Sequence, residues 1–241
     1  PTRDHTERML GAFGYPVERN GGTLCVTGGG RLTATSVDVP ADISSAVFFM
    51  VGASIAPGSD LTLEHVGVNP TRTGAIDILR LMGANIELIN PREAGGEPVA
   101  DIRVRHAELK GIEIPVELVP LAIDEFPVLF VAAANARGVT VLRGAGELRV
   151  KESDRIQVMA DGLQALGIAA EPAADGMRVT GGRYGGGVVA SRGDHRVAMA
   201  FAIAALRAHT PITITDCANV ATSFPGFVEL ARAAGLKIKS E

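Results

Sequence analysis

Tryptophan is absent from these 241 residues, tyrosine occurs twice, and aromatics make up 4% of the chain. Basic segments interleaved with aromatics are missing, there is no basic tail, and the net charge is -4. Composition therefore gives no sign of a nucleic-acid partner, and any bound anion must be held by local cations rather than by the overall field. Cysteine is nearly absent too: Cys25 and Cys217 lie far apart and outside any CxxC pattern. They read as reduced thiols of a cytoplasmic protein, with no metal site implied. Long apolar runs are missing as well. The longest, such as Ala46 to Ala56, are about eleven residues, too short to cross a bilayer. No signal peptide is visible. His5, His65, His106 and His209 have no partners at metal-ligand spacing. No Ser-His-Asp or Cys-His set with a recognisable motif occurs. Gly28-Gly29-Gly30 and Gly185-Gly186-Gly187 match neither phosphate-loop nor dinucleotide fingerprints and read as turns.

What is present is an ordinary globular composition, 46% hydrophobic and 21% charged, enough for one large domain or two smaller ones. The chain begins at Pro1 rather than at methionine, which suggests a processed chain or a fragment. Residues 1–37 stand apart: a helix is expected over Asp4 to Phe13, and strands over Tyr15 to Glu18 and Thr23 to Thr27. Arg3, just ahead of that helix, reads as an exposed end in preference to an anion contact.

From Asp42 onward one pattern recurs three times. An acidic opening leads into an apolar helix: Asp42 before Ala46 to Ala56, Asp124-Glu125 before Val128 to Ala134, Asp194 before Val197 to Leu206. A strand follows in each copy: Leu61 to His65, Val139 to Leu142, Ile212 to Thr215. A second helix then closes at a glycine, with further strands at Asn85 to Leu88, Ala100 to Val104, Ile112 to Leu118, Met177 to Thr180 and Val188 to Ala190. Asp42 to Gly83 is 41 residues, Asp124 to Gly167 is 43 and Asp194 to Gly235 is 41. Such regularity predicts a repeated helix-strand-helix-strand unit. The first helix of each unit is apolar nearly all round, as a buried helix is, and the second carries one apolar stripe. Three buried helices are thus expected at the centre, with amphipathic helices and small sheets outside. One rim would then present Asp42, Asp124 and His195-Arg196 beside the loop Lys151 to Arg155.

That loop belongs to the most charged stretch of the chain, Glu147-Leu148-Arg149-Val150-Lys151-Glu152-Ser153-Asp154-Arg155. Asp154 and Gln157 have capping-box spacing, so Lys151 and Arg155 fall near a helix N-terminus, where backbone donors already favour an anion. The plain alternative is a solvated charge run on a surface turn. Asp194 suits an N-cap, which leaves His195 and Arg196 in the first turn. A cation there opposes the helix dipole unless an anion binds; a salt bridge from these arginines to Asp194 or Asp154 is the competing reading. Asp124-Glu125 and Glu152 are either caps and surface charges or carboxylates placed for proton transfer. Asn69-Pro70-Thr71-Arg72-Thr73-Gly74 occupies the corresponding place in the first unit, lacks carboxylates, and reads as structural.

Taken together, Glu147 to Arg155, Gly193-Asp194-His195-Arg196-Val197-Ala198-Met199 and Ser223-Phe224-Pro225 resemble the signatures of the 3-phosphoshikimate 1-carboxyvinyltransferase (5-enolpyruvylshikimate-3-phosphate synthase) family. Thr2 to Glu7, Asn69 to Gly74 and Ile123-Asp124-Glu125-Phe126-Pro127 resemble it too, particularly its glyphosate-tolerant bacterial branch. The resemblance implies an α/β (α+β) fold of βαβαββ units around buried helices, an inside-out α/β barrel. It places residues 1–41 at the end of a first domain and 42–241 in a second, with units near 42–110, 111–190 and 191–241. It implies transfer of the carboxyvinyl group of phosphoenolpyruvate to the 5-hydroxyl of 3-phosphoshikimate, releasing phosphate, without metal or organic cofactor. Asp124 matches the proton acceptor, Glu152 the residue that protonates the methylene carbon, and Lys151 a contact on the shikimate-phosphate side near the reacting centre. Arg155 and Arg196 match the pair gripping phosphoenolpyruvate, Arg3 with Thr2 beside it would reach the 3-phosphate, and His195 lines the pocket. The chain departs from the pattern at Thr222, where many members carry lysine, and it has no counterpart to roughly the first 190 residues of the family. It is therefore expected to be inactive without that N-terminal half. A UDP-N-acetylglucosamine carboxyvinyltransferase of the same fold, or a non-catalytic anion-binding domain, is the alternative.

Overall fold

The computed structural model describes residues 3–239. The first of these form helix α1 (His5–Ala12) and a hairpin of β1 (Glu18–Asn20) and β2 (Thr23–Cys25). The first strand starts at Glu18, where the sequence pattern placed its end. The helix terminus takes up the intervening residues: Gly14 has φ 75°, and the Tyr15 N–H returns to the Leu10 carbonyl at 2.9 Å. Residues 26–39 form no helix or strand and lie exposed.

From Ala41 the repeat is visible as topology. A short extended stretch pairs in parallel with the strand beyond the next helix: Ala41 with Val66, Lys110 with Arg137, Glu113 with Val141, and β9 (Gly187–Ala190) with β10 (Ile212–Thr215). The helix inside each crossover is α2 (Ile43–Ile55), α4 (Phe126–Ala134) or α6 (His195–Ala204). Eleven of the 13 residues of α2, all 9 of α4 and eight of the 10 of α6 are buried, as apolar sequence on every side requires. Each of the three packs on the other two, so they form the centre of the molecule.

The outer layer is built from amphipathic helices and small sheets. Helix α3 (Gly74–Leu81) connects β3 (Asp60–Gly67) to β4 (Asn85–Ala94) in a sheet completed by β5 (Glu97–Arg105), in the order β3-β5-β4. Helix α5 (Arg155–Ala165) likewise connects β6 (Val139–Leu142) to β7 (Ala170–Ala173) in the equivalent sheet completed by β8 (Gly176–Thr180), in the order β6-β8-β7. In both, the last strand of the unit lies in the middle. The third unit carries α7 (Val220–Ser223) and α8 (Phe227–Ala233), and among the described residues its sheet has two strands, β9 and β10. The predicted closing glycines all adopt the left-handed conformation that ends a helix, with φ 94° at Gly83, 87° at Gly167 and 100° at Gly235.

The strand expected over Ile112 to Leu118 forms only in part. Its parallel bonds end where the Ile114 N–H meets the Val141 carbonyl at 2.9 Å. Pro115 follows and has no N–H to donate, and the chain then coils into a single 3-10 turn over Val116–Leu118. Among the described residues no helix is long and apolar enough to cross a membrane.

Candidate active site

The starts of α4, α5 and α6 meet at one rim. Asp194 organises it. Its carboxylate caps α6, accepting from the Arg196 N–H at 2.9 Å and the Val197 N–H at 3.4 Å. The same carboxylate accepts from Arg155 Nε at 2.8 Å and from Ser153 Oγ at 3.0 Å. It ties the start of α5 to the start of α6. Both members of the Arg155–Asp194 pair are fully buried, with side-chain exposures of 1% and 0%. Burial works to raise the Asp194 carboxyl, but the bonds and charge of Arg155 outweigh it and hold the group below its ordinary value.

The charged stretch ahead of α5 divides its labour. Arg149 is a brace: it pairs with Asp154 at 2.6 Å and donates to the Ala173 and Ala174 carbonyls at 2.7 and 2.9 Å. Asp154 caps α5 by accepting from the Gln157 N–H at 3.0 Å, as the capping-box spacing predicts. Lys151 and Arg155 face inward instead, with Glu152 beside them at the solvent edge. Lys151 pairs with Glu147 and stands 3.3 Å from Asp124 Oδ1, and Glu152 accepts from Arg155 Nη2 at 2.5 Å while half exposed. The salt-bridge reading of Arg155 is therefore correct, and incomplete. Its Nη1 is buried with no hydrogen-bond partner among the described residues and points toward Asp124 Oδ1 at 3.6 Å.

Asp124 is the focus of the cations. Besides Lys151 and Arg155, its carboxylate pairs with Arg3 and lies 3.8 Å from Arg72 Nη1, and its backbone carbonyl accepts from Arg196 Nη1 at 3.2 Å. Neither Asp124 nor Glu125 caps α4, unlike Asp42, which caps α2 through the Ser44 and Ser45 N–H groups at 3.0 and 3.3 Å. Burial pushes the Asp124 carboxyl up, but Arg196, Lys151 and Arg3 more than offset it, and the net shift is downward. His195, partly buried in the first turn of α6, is pushed down by burial and by Arg196, against the opposing pull of Asp194 and Glu152. The net shift favours the neutral imidazole.

Of the residues the sequence nominates, Arg3, Asp124, Lys151, Glu152, Arg155, His195 and Arg196 share this rim. Thr2 lies outside the described residues. Arg3 is more than the exposed end its position suggested. Its backbone sits at φ 60°, its N–H donates to Thr71 Oγ1 at 3.0 Å, and its side chain reaches Asp124. Arg72, in the loop that reads as structural, is the residue missed. It is buried, donates to Ser44 Oγ at 2.6 Å and Glu125 Oε1 at 3.2 Å, and its other nitrogen faces Asp124. A signal was available: in the repeat, its loop holds the place that Lys151 and Arg155 hold in the second unit. Among the described residues no group of His, Cys, Asp or Glu could hold a metal ion. The rim can instead bind anions through a fan of guanidinium and ammonium donors, and move protons through two carboxylates in different settings.

Comparison with known proteins points the same way. The family model described as EPSP synthase (3-phosphoshikimate 1-carboxyvinyltransferase) matches residues 1–230. A 3-phosphoshikimate 1-carboxyvinyltransferase of Methylococcus capsulatus is 70% identical over 99% of this chain and 55% of its own length. One from Alkalilimnicola ehrlichii is also 70% identical, over 99% of this chain and 54% of its own. This chain thus spans about half the length of the curated relatives it matches. Among solved structures, the EPSP synthase of Acinetobacter baumannii superposes with a TM-score of 0.97 at 57% identity, covering 100% of this chain and 56% of that one. The enolpyruvyl transferase NikO of Streptomyces tendae has a TM-score of 0.73 at 20% identity over 95% of this chain and 52% of that one, a likeness of fold alone. The architecture is the α/β carboxyvinyltransferase fold, as the resemblance implied.

Proposed function

The chain belongs to the EPSP synthase family, and on that premise we propose that it forms one wall of a 3-phosphoshikimate 1-carboxyvinyltransferase site. In that reaction the 5-hydroxyl of 3-phosphoshikimate attacks C2 of phosphoenolpyruvate. Asp124 takes the hydroxyl proton, and Glu152 delivers a proton to the methylene carbon. The tetrahedral adduct then loses a methyl proton and phosphate, which regenerates the vinyl group in the product.

The observation that carries this reading is the crowding of cations on Asp124: Lys151 at 3.3 Å, Arg155 at 3.6 Å, Arg72 at 3.8 Å, and Arg3 in direct contact. Other carboxylates pair with part of that set: Glu147 with Lys151, Asp194 and Glu152 with Arg155, and Glu125 with Arg72. The cations are thus held in place around Asp124, where the oxygens of two phosphates and a carboxylate would find donors. Arg155 and Arg196 are assigned to phosphoenolpyruvate, with His195 alongside; planar guanidinium groups suit carboxylate and phosphate oxygens. Lys151 and Arg3, with Thr2, are assigned to 3-phosphoshikimate. A carboxylate kept ionised among cations, beside a second one half open to solvent, suits the two to opposite proton transfers.

In this reading residues 42–241 form one domain and residues 1–41 belong to a preceding one. A further half of the same enzyme closes over the rim to complete both subsites, and this chain alone turns over no substrate. Two exposed, unpaired cysteines accord with a cytoplasmic setting. Phosphate release should be measured with the complete polypeptide, with this chain alone, and with Asp124→Asn and Glu152→Gln in the complete polypeptide. Each substitution is expected to lower kcat by about 10²- to 10⁴-fold. Native turnover by Asp124→Asn would refute the assignment of the base, and turnover by the isolated chain would refute the need for the second half.

A further inference from the structure

We propose that Glu125 is a positioning residue for the reaction, holding Arg72 toward the neighbouring Asp124 carboxylate and Arg196 against the Asp124 backbone carbonyl. The inference rests on Asp124 being the proton acceptor. Glu125 is 1% exposed and stands at the mouth of α4, whose residues are all buried. A carboxyl group there is costly to bury, and it does not serve as a cap, so helix formation does not account for it. Its bonds run to the rim instead. Glu125 Oε1 accepts from Ser44 Oγ at 2.5 Å and from Arg72 Nη2 at 3.2 Å, and Arg196 Nη1 lies 3.8 Å away. Arg72 Nη2 also donates to Ser44 Oγ at 2.6 Å, which closes a buried triangle between α2, α4 and the loop before α3.

Each arginine that reaches Glu125 also reaches Asp124. Arg72 Nη1 faces Asp124 Oδ2 at 3.8 Å, and Arg196 Nη1 donates to the Asp124 carbonyl at 3.2 Å. The two adjacent carboxyls are pushed in opposite directions. Burial raises Glu125 despite Arg72, Ser44 and Arg196, whereas Arg196, Lys151 and Arg3 overcome burial and lower Asp124. A Glu125 that resists ionisation orients the two guanidinium groups without consuming their charge. That charge remains available to Asp124 and to an incoming anion. The remaining groups facing Asp124 are Arg3, Lys151 and Arg155, none of which bonds Glu125.

The test measures kcat, both KM values and the pH profile of kcat/KM in the complete polypeptide. Glu125→Ala is expected to lower kcat by roughly 30- to 100-fold, the scale of a misplaced catalytic group, with each KM changed by less than about threefold. It should also move the acidic limb of the profile upward, because Asp124 loses the cations that favour its ionised form. Glu125→Gln keeps the Oε1 acceptor and a neutral head, and should restore most of what alanine loses. Ser44→Ala, a smaller change that keeps the core filled, should shift both readouts in the same direction by about three- to tenfold. Native kcat and pH profile in both Glu125→Ala and Ser44→Ala, or losses confined to thermal stability, would overturn the inference. With Asp124→Asn as control the failures separate: an active Asp124→Asn removes the base itself, whereas an inactive one beside native Glu125→Ala and Ser44→Ala removes the positioning role alone.

Discussion

Asp194 shows how much one side chain can be asked to hold. It caps α6 and is the counter-ion of a buried arginine, two roles that an asparagine would separate. Asp194→Asn keeps a capping oxygen but removes the buried counter-ion of Arg155 and leaves it the half-exposed Glu152 and the more distant Asp124. The expected loss is about 3 kcal/mol by urea unfolding at pH 7, the low end for a broken buried pair. Because the folded state holds this carboxyl below its ordinary value of 3.8, its contribution is fully present above about pH 4 and is lost as pH falls through the folded value. Glu125 acts with the opposite sign, since its raised value favours the folded state at acid pH and that contribution is lost as pH rises. Unfolding free energies measured between pH 7 and 2.5 should therefore fall on the acid side in the native chain, and fall less in Asp194→Asn. At this scale the sequence is legible where bonds are local. The caps at Asp194 and Asp154 follow from spacing. The Arg72–Glu125 contact spans 53 positions and depends on how α2 and α4 pack, so nothing in either local pattern announces it.

The buried helices were the easiest elements to foresee, because an all-apolar helix has nowhere to go but the centre. What the apolar pattern does not show is how closely the outer helices approach them. Gly162 lies mid-way along α5, and a Cβ placed there would stand 2.2 Å from Cζ of Phe201 on α6. Replacing a helical glycine with alanine ordinarily gains about 0.8–1 kcal/mol. Here overpacking of about 1–3 kcal/mol opposes that gain. Gly162→Ala is thus expected to be net destabilising, by about 1–2 kcal/mol in a denaturant titration; a stabilised variant would show that α5 and α6 can separate without loss. The partial strand before Pro115 teaches the complementary lesson. Alternation over Ile112 to Leu118 signals extended chain, yet parallel pairing also needs donors, and proline ends the ladder.

Across the whole molecule, near-equal spacing from aspartate to glycine made three units legible before any contact was known. The placement of Asp124, Lys151, Arg155 and Arg196 at one rim followed from their equivalence. The regular spacing did not reveal that the third sheet differs from its siblings. In the first two units the outer strand is covered by a middle strand, β5 or β8, whereas among the described residues β10 pairs with β9 alone. Among the described residues the other margin of β10 therefore has no strand partner, although the Ile214 carbonyl accepts from Cys217 Sγ at 3.2 Å. Its residues, Ile212-Thr213-Ile214-Thr215, are β-prone and uncharged, with none of the lysines or prolines that usually blunt such a margin. Handled in isolation at high concentration, the polypeptide should self-associate strand to strand and eventually precipitate. Light scattering against concentration should show this, and Thr213→Lys, on the exposed side of β10, should suppress it while leaving the midpoint of unfolding within about 0.5 kcal/mol of native.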